Sequence, residues 1–207
     1  MPYRVKKSID IDFAHHVHGH AGPCINIHGH TWKFEVEVQA ENLGDDHFVI
    51  DFKDLKTKLL EPIHNMLDHG FAIWNKTLFD TEGKVVHSFQ TIGEALVATR
   101  EGRAGKNRWL FGADVRSFDD CAGNITVAMP SVDSLNGATD YCIGGIKIIG
   151  FPFPPSSETL ARWLYETAHK VLVPEYARLG RTIQIRQASV YETLHPVESV
   201  ATYTENW

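Results

Sequence analysis

Hydrophobic and charged positions alternate strictly along Lys33-Phe34-Glu35-Val36-Glu37-Val38. That period of two predicts a β-strand with one buried face. Carried backwards, the same parity places Trp32, His30 and His28 on the apolar side, because residues two apart on a strand share a face. An upstream run, Ser8-Ile9-Asp10-Ile11-Asp12-Phe13-Ala14-His15, alternates in the same way and sets His15 on its apolar face. The pattern predicts a first strand over about 4–15 and a second ending near Ala40.

The period lengthens after residue 50. Phe52, Leu55, Leu59, Ile63 and Met66 recur at helical spacing behind Asp51, a good N-cap, with Asp54 in the first turn. Pro62 predicts a kink or a restart. From about 76 to 150 the regularity is lost. Within that stretch Thr91-Ile92-Gly93-Glu94 reads as the capped start of a short helix, and Arg100, Arg103, Lys106 and Arg108 read as a solvated basic loop. It is far longer than an ordinary connection, which predicts an insertion or an ordered functional loop. Ile146 to Ile149 is a short strand. Ser156 can cap a second helix whose buried face is Leu160, Trp163, Leu164, Ala168 and Val171, and two strands follow over about 182–192 and 197–203. The order β-β-α-(insertion)-α-β-β predicts a single α+β domain over 1–207. Its expected form is a four-stranded antiparallel sheet with two helices on one face and the long insertion between them. The other face is expected to be closed in part by oligomerisation.

Composition narrows the class. The chain has 207 residues, 43% hydrophobic and 22% charged, which is ordinary for a globular protein. A formal net charge of −6 gives no electrostatic case for nucleic acid as the main partner. No apolar run approaches a membrane span, and the basic N-terminal residues lead into no hydrophobic signal core. Three scattered cysteines make no disulfide framework, so a cytoplasmic location is expected.

Candidate chemistry starts with His28-Gly29-His30. With twelve histidines in the chain, one His-x-His pair is weak by itself. If the first two strands pair, His15 joins His28 and His30 on a common face. Three imidazoles suit zinc and leave a tetrahedral ion one open position, the mark of a catalytic site. His18 and His20, in the loop before Cys24, remain alternatives as ligands or substrate contacts. Asp68-His69 is either a helix end or a histidine oriented by a carboxylate for proton transfer. Cys24 taken alone reads as a small buried hydrophobe, Asp51 as structural, and Glu192 as an exposed strand-end acid.

The pieces Ile11-Asp12-Phe13-Ala14-His15, Cys24-x3-His28-Gly29-His30, Val49-Ile50-Asp51-Phe52, Leu67-Asp68-His69, Pro155-x2-Glu158-x2-Ala161-x-Trp163 and Tyr191-Glu192-Thr193 form an ordered set. That set resembles the 6-pyruvoyltetrahydropterin synthase and 6-carboxytetrahydropterin synthase family, over about 1–75 and 151–207. The resemblance implies a tunnelling fold assembled into homo-oligomeric rings with active sites between subunits. It implies zinc on His15, His28 and His30, with Cys24, Asp68 and His69 as catalytic proton-transfer groups. Glu192 and Thr193 would hold the pterin ring of a triphosphorylated substrate such as 7,8-dihydroneopterin triphosphate. The insertion has no counterpart in compact members of the family.

Two products compete within that reading. Cleavage of the side chain gives 6-carboxytetrahydropterin and acetaldehyde, a step toward deazapurine nucleosides such as queuosine. Elimination of triphosphate with internal redox gives 6-pyruvoyltetrahydropterin. The Cys-x3-His-Gly-His spacing is more similar to the carboxy-forming members. Rivals from other classes are a non-catalytic metal- or pterin-binding protein on the same fold, and a cupin-like metalloprotein in which Glu35 would join His28 and His30. The strand parity, which puts Glu35 on the opposite face, argues against the cupin.

Overall fold

The computed structural model describes residues 2–84, 86, 135–143, 146–193 and 198–205. In chain order the described elements begin with β1 (Tyr3–His15), a short 3-10 turn (Pro23–Ile25), β2 (His28–Ala40), α1 (Phe52–Asp54), a π-helical stretch (Leu55–Leu60) and α2 (Glu61–Leu67). They continue with β3 (Phe71–Trp74), α3 (Asn75–Leu78), β4 (Thr139–Ile143), β5 (Ile146–Phe151), α4 (Ser157–Arg178), β6 (Gln184–Thr193) and β7 (Ser199–Tyr203). The chain divides into two compact units. One consists of Met1–Ala14, Ile27–His69 and Pro155–Trp207, the other of His15–Asn26 and Gly70–Pro154.

In the first unit the strands follow the order β1-β2-β6-β7, and both β2–β6 and β6–β7 are antiparallel. The alternation in the sequence is realised on β2, where Trp32, Phe34, Val36 and Val38 are all fully buried. Helix α4 covers this face, packing on β2, β6 and β7. It starts at a capping box in which the Ser156 N–H donates to Thr159 Oγ1 at 3.0 Å and the Thr159 N–H to Ser156 Oγ at 3.4 Å. Its buried face holds Leu160, Trp163, Leu164 and Ala168 as expected, but Leu172 rather than the half-buried Val171 continues it.

The first helical run departs from plain α-geometry. Asp51 caps it, accepting from the Lys53 N–H at 2.8 Å. A π-turn then closes with the Glu61 N–H donating to the Lys56 carbonyl. Pro62 follows at once, and its ring cannot sit against the carbonyl four residues back, which an added residue in the preceding turn relieves. The wider turn rotates the buried face, so Leu60 and Leu67 are buried while Met66 is only half-buried and Phe52 is exposed.

The expected four-stranded sheet understates the strands, of which seven are described, and β3 and β5 pair in parallel. The second unit carries the additional three in the order β4-β5-β3. Phe71, Ala72 and Ile73 on β3 are consecutive and all buried. A strand covered on both faces loses the alternation that marks a one-sided strand, so this run gave no period-two signal. The anticipated strand at Ile146 is present as β5, with β4 antiparallel to it. The expected helix start at Thr91 and the basic cluster at Arg100, Arg103, Lys106 and Arg108 lie outside the described residues.

Candidate metal centre and the Asp68–His69 pair

Strand geometry builds the centre. On β2, Trp32 lies flat against Phe13 of β1 with ring centroids 4.8 Å apart, and its Nε1 donates to the Phe13 carbonyl at 3.2 Å. His30 packs edge-on to Trp32 at 5.3 Å, and His28 edge-on to His30 at 5.0 Å. The three rings form a column held at one end by a fully buried indole. Gly29 lets β1 come close, since a Cβ there would lie 3.3 Å from the Phe13 carbonyl oxygen.

Strand β1 runs unbroken through Ala14 to His15, its last residue, which is 1% exposed. On β6 the register sets Phe34 opposite Val190 and Lys33 opposite Tyr191, so Glu192 shares the inward face of Val190. Glu192 Oε1 lies 3.6 Å from His30 Nε2. One ligating atom each from His15, His28, His30 and Glu192 lies within 4.8 Å of every other. Imidazole and carboxylate are donors that zinc and related divalent ions take, and four such atoms converging from separate strands fit a single ion.

The expected ligands His15, His28 and His30 are thus brought together. Glu192 meets them, which its reading as an exposed strand-end acid did not anticipate; the parity running from Val190 was the available signal. His18 and His20 are outside the group. The His18 ring lies 5.9 Å from that of Trp74, and His20 Nδ1 accepts from the Gly22 N–H at 2.9 Å. Glu35, the ligand a cupin would need, is buried on the opposite face and accepts from Lys6 at 3.2 Å.

Asp68 and His69 do touch. His69 Nδ1 lies 2.8 Å from Asp68 Oδ2, with Asp68 capping α2. His69 adopts a left-handed φ of 56°, and its N–H donates to the Asp12 carbonyl at 2.7 Å. The ring is open to solvent, with 82% of the side chain exposed against 27% for Asp68. Burial pushes the Asp68 carboxyl upward. The hydrogen bond and charge of His69, then the charge of His64 and a backbone hydrogen bond from Asp12, outweigh it and hold the group below its ordinary value. His64 was not singled out from the sequence, although its place four residues before Asp68 on a helix was legible.

Cys24 is the middle residue of the 3-10 turn, a half-buried free thiol. Thr193 ends β6, half-buried and opposite Ser199. Among the described residues no helix is long and apolar enough to cross a membrane.

A family model described as 6-pyruvoyl tetrahydropterin synthase matches residues 4–206. A 6-carboxy-5,6,7,8-tetrahydropterin synthase from Haemophilus influenzae is 37% identical over 78 residues, 36% of this chain and 55% of that protein. The Bacillus subtilis protein of the same name is 34% identical over 68 residues, 32% of this chain and 44% of its own length. The matched segments therefore span about half the length of these curated relatives. Among solved structures, an uncharacterized protein from Wolinella succinogenes superposes with a TM-score of 0.59 at 20% identity, covering 100% of this chain and 99% of that one. A Plasmodium vivax 6-pyruvoyltetrahydropterin synthase gives 0.51 at 11% identity, covering 99% of each chain. At these identities the structural likeness is one of fold.

Proposed function

The chain belongs to the 6-pyruvoyl tetrahydropterin synthase family, and from that premise we propose that it is a zinc-dependent lyase of the carboxy-forming kind. With water, it converts 7,8-dihydroneopterin triphosphate to 6-carboxytetrahydropterin, acetaldehyde and triphosphate. The observation carrying this reading is the convergence of His15, His28, His30 and Glu192 within 4.8 Å. The carboxy product is favoured over the pyruvoyl one by the names of the curated relatives.

Zinc held by the three histidines would act as a Lewis acid on the side-chain hydroxyls of the substrate. The chain's own groups do the rest. Glu192, adjoining His30, accepts hydrogen bonds from the paired donors of the amino-pyrimidine edge, with Thr193 beside it. Asp68 fixes the ring of His69 through Nδ1 and so leaves Nε2 to exchange a proton with the substrate. Cys24 serves as the second proton-transfer group. The reading includes assembly into a homo-oligomer with active sites between subunits, working in the cytoplasm.

The test follows triphosphate and acetaldehyde together from zinc-loaded protein and 7,8-dihydroneopterin triphosphate. Acetaldehyde in step with triphosphate is expected. Triphosphate alone would move the assignment to the pyruvoyl product, and neither would remove the reading. Cys24→Ala is expected to lower turnover by about a hundredfold or more while leaving bound zinc unchanged.

A further inference from the structure

Glu192 stands at an irregularity of its strand. Tyr191 lies opposite Val200 and Thr193 opposite Ser199, so two steps along β6 match one along β7. Glu192 is the extra residue of that β-bulge, a feature that bends a strand and re-aims the side chain it carries. Here the carboxylate is aimed at the histidine column. Its Oε1 lies 3.6 Å from His30 Nε2, with only 24% of the Glu192 side chain and 25% of the His30 side chain exposed. That separation is too long for a hydrogen bond. It is close to the spacing of two donors on one tetrahedral zinc, about 3.4 Å for bonds of about 2.0–2.2 Å. Glu192 also brings a ligating atom within 4.8 Å of one on His15 and one on His28.

We propose that Glu192 closes the metal centre when substrate is absent: its carboxylate takes the fourth position beside His15, His28 and His30, and leaves it when a pterin ring arrives. The exchange rests on the reading that the site takes a pterin; the ligation does not. Four protein donors make a closed zinc site and three make an open one, so the movement of one carboxylate switches the centre between them. The ring supplies the pull. A two-point hydrogen bond from the amino-pyrimidine edge engages both carboxylate oxygens, which an ionised glutamate offers as acceptors only. The bulge leaves Glu192 out of the β6–β7 register, so its side chain moves without breaking that ladder. The fourth position then opens only when a ring is in place, and its side-chain hydroxyls are the groups set to fill it.

Cobalt(II), whose visible bands report its ligands, tests the idea in place of zinc. The full-length wild type, Glu192→Gln and Glu192→Ala are compared, with unfolding midpoints of the metal-free proteins as the check on folding. The wild-type bands are expected to differ from those of both variants. Zinc affinity, measured by chelator competition, should fall at least about tenfold in each variant. Saturating 6-methylpterin carries the amino-pyrimidine edge and no side-chain hydroxyls. It should move the wild-type bands toward those of the variants and leave the variants unchanged. Coincident bands in the wild type and a folded variant would overturn the ligation even where zinc affinity falls, because a carboxylate that only orients His30 lowers affinity without entering the ligand field. A 6-methylpterin that binds, by its fluorescence, without altering the wild-type bands would overturn the exchange. If it does not bind, the pterin reading fails and the exchange with it, while the metal-only spectra still decide the ligation.

Discussion

Tyr176 is 2% exposed, yet its hydroxyl lies between two ends of the same helical start. It donates to Asp54 Oδ2 at 2.9 Å and accepts the Asp51 N–H at 3.1 Å. Burial, and then the hydrogen bond to Asp54, raise the phenol above its ordinary 10.0 even though the Asp51 N–H works the other way. Such a group favours the folded state below the unfolded value, and that contribution is lost as pH rises past it. Tyr176→Phe removes a hydrogen bond to a charged carboxylate and should therefore cost about 1.5–3 kcal/mol at neutral pH, with Asp54 Oδ2 still facing Lys58 Nζ at 3.2 Å. Denaturant unfolding should show the gap from wild type shrinking as pH passes 10; a gap constant to pH 11 would mean the hydroxyl is not what Phe removes. Residue chemistry was legible wherever it followed a period. The inward face of β2 announced His28 and His30, and the spacing behind Asp51 announced a cap. Tyr176 could not be read this way, because its partners stand more than a hundred positions earlier and only the packing of α4 brings them together. For Glu192 the parity with Val190 gave the face, but which residues it meets there is fixed by the β2–β6 register.

At the scale of elements, strands with one wet face are legible from their alternation, while of the two runs buried on consecutive positions β5 is legible from its isoleucines and β3 is not. Strands β1 and β2 carry polar residues on alternate positions, and the bounds of β1 and the end of β2 fall within a residue of the expected ones. The run from Phe71 to Trp74 has no polar alternation and pairs in parallel, so nothing local marks it as β3. The π-turn before Pro62 is intermediate. A break was legible from the proline, but the change of buried face from Met66 to Leu67 needed the extra residue per turn. Helix α4 offers the cleanest check at this scale, since its start rests on a reciprocal pair of hydrogen bonds between Ser156 and Thr159. Ser156→Ala should destabilise the protein by about 1 kcal/mol, within the 0.5–2 kcal/mol range of lost caps. Ser156→Gly should cost only a few tenths of that, because glycine still favours the cap backbone. Equal losses for Ala and Gly in thermal unfolding would place the role of Ser156 elsewhere than in the cap.

For the molecule as a whole, the question is how far the metal centre and the fold depend on each other. The three histidines come from β1 and β2, with Glu192 beside them on β6 far along the chain, and these strands meet only in the folded sheet. An ion that binds the assembled donors and not the unfolded chain stabilises the native state by mass action, by about 2.7 kcal/mol at a free concentration one hundred times its dissociation constant. For a chain of this length that is about 5–10 °C in unfolding midpoint. The chain contains twelve histidines and three cysteines, so the unfolded state also captures zinc, and the shift should fall toward the lower end. Zinc is therefore expected to raise the midpoint by about 5 °C, and a chelator to reverse it. His28→Ala should abolish the shift while remaining folded without metal, because the core beneath the site is made of Trp32, Phe34, Val36 and the buried face of α4 and does not include His28. A zinc-induced shift that persists in His28→Ala would place the stabilising ion at other residues, and no shift in the wild type would mean that His15, His28 and His30 do not hold zinc in the folded chain.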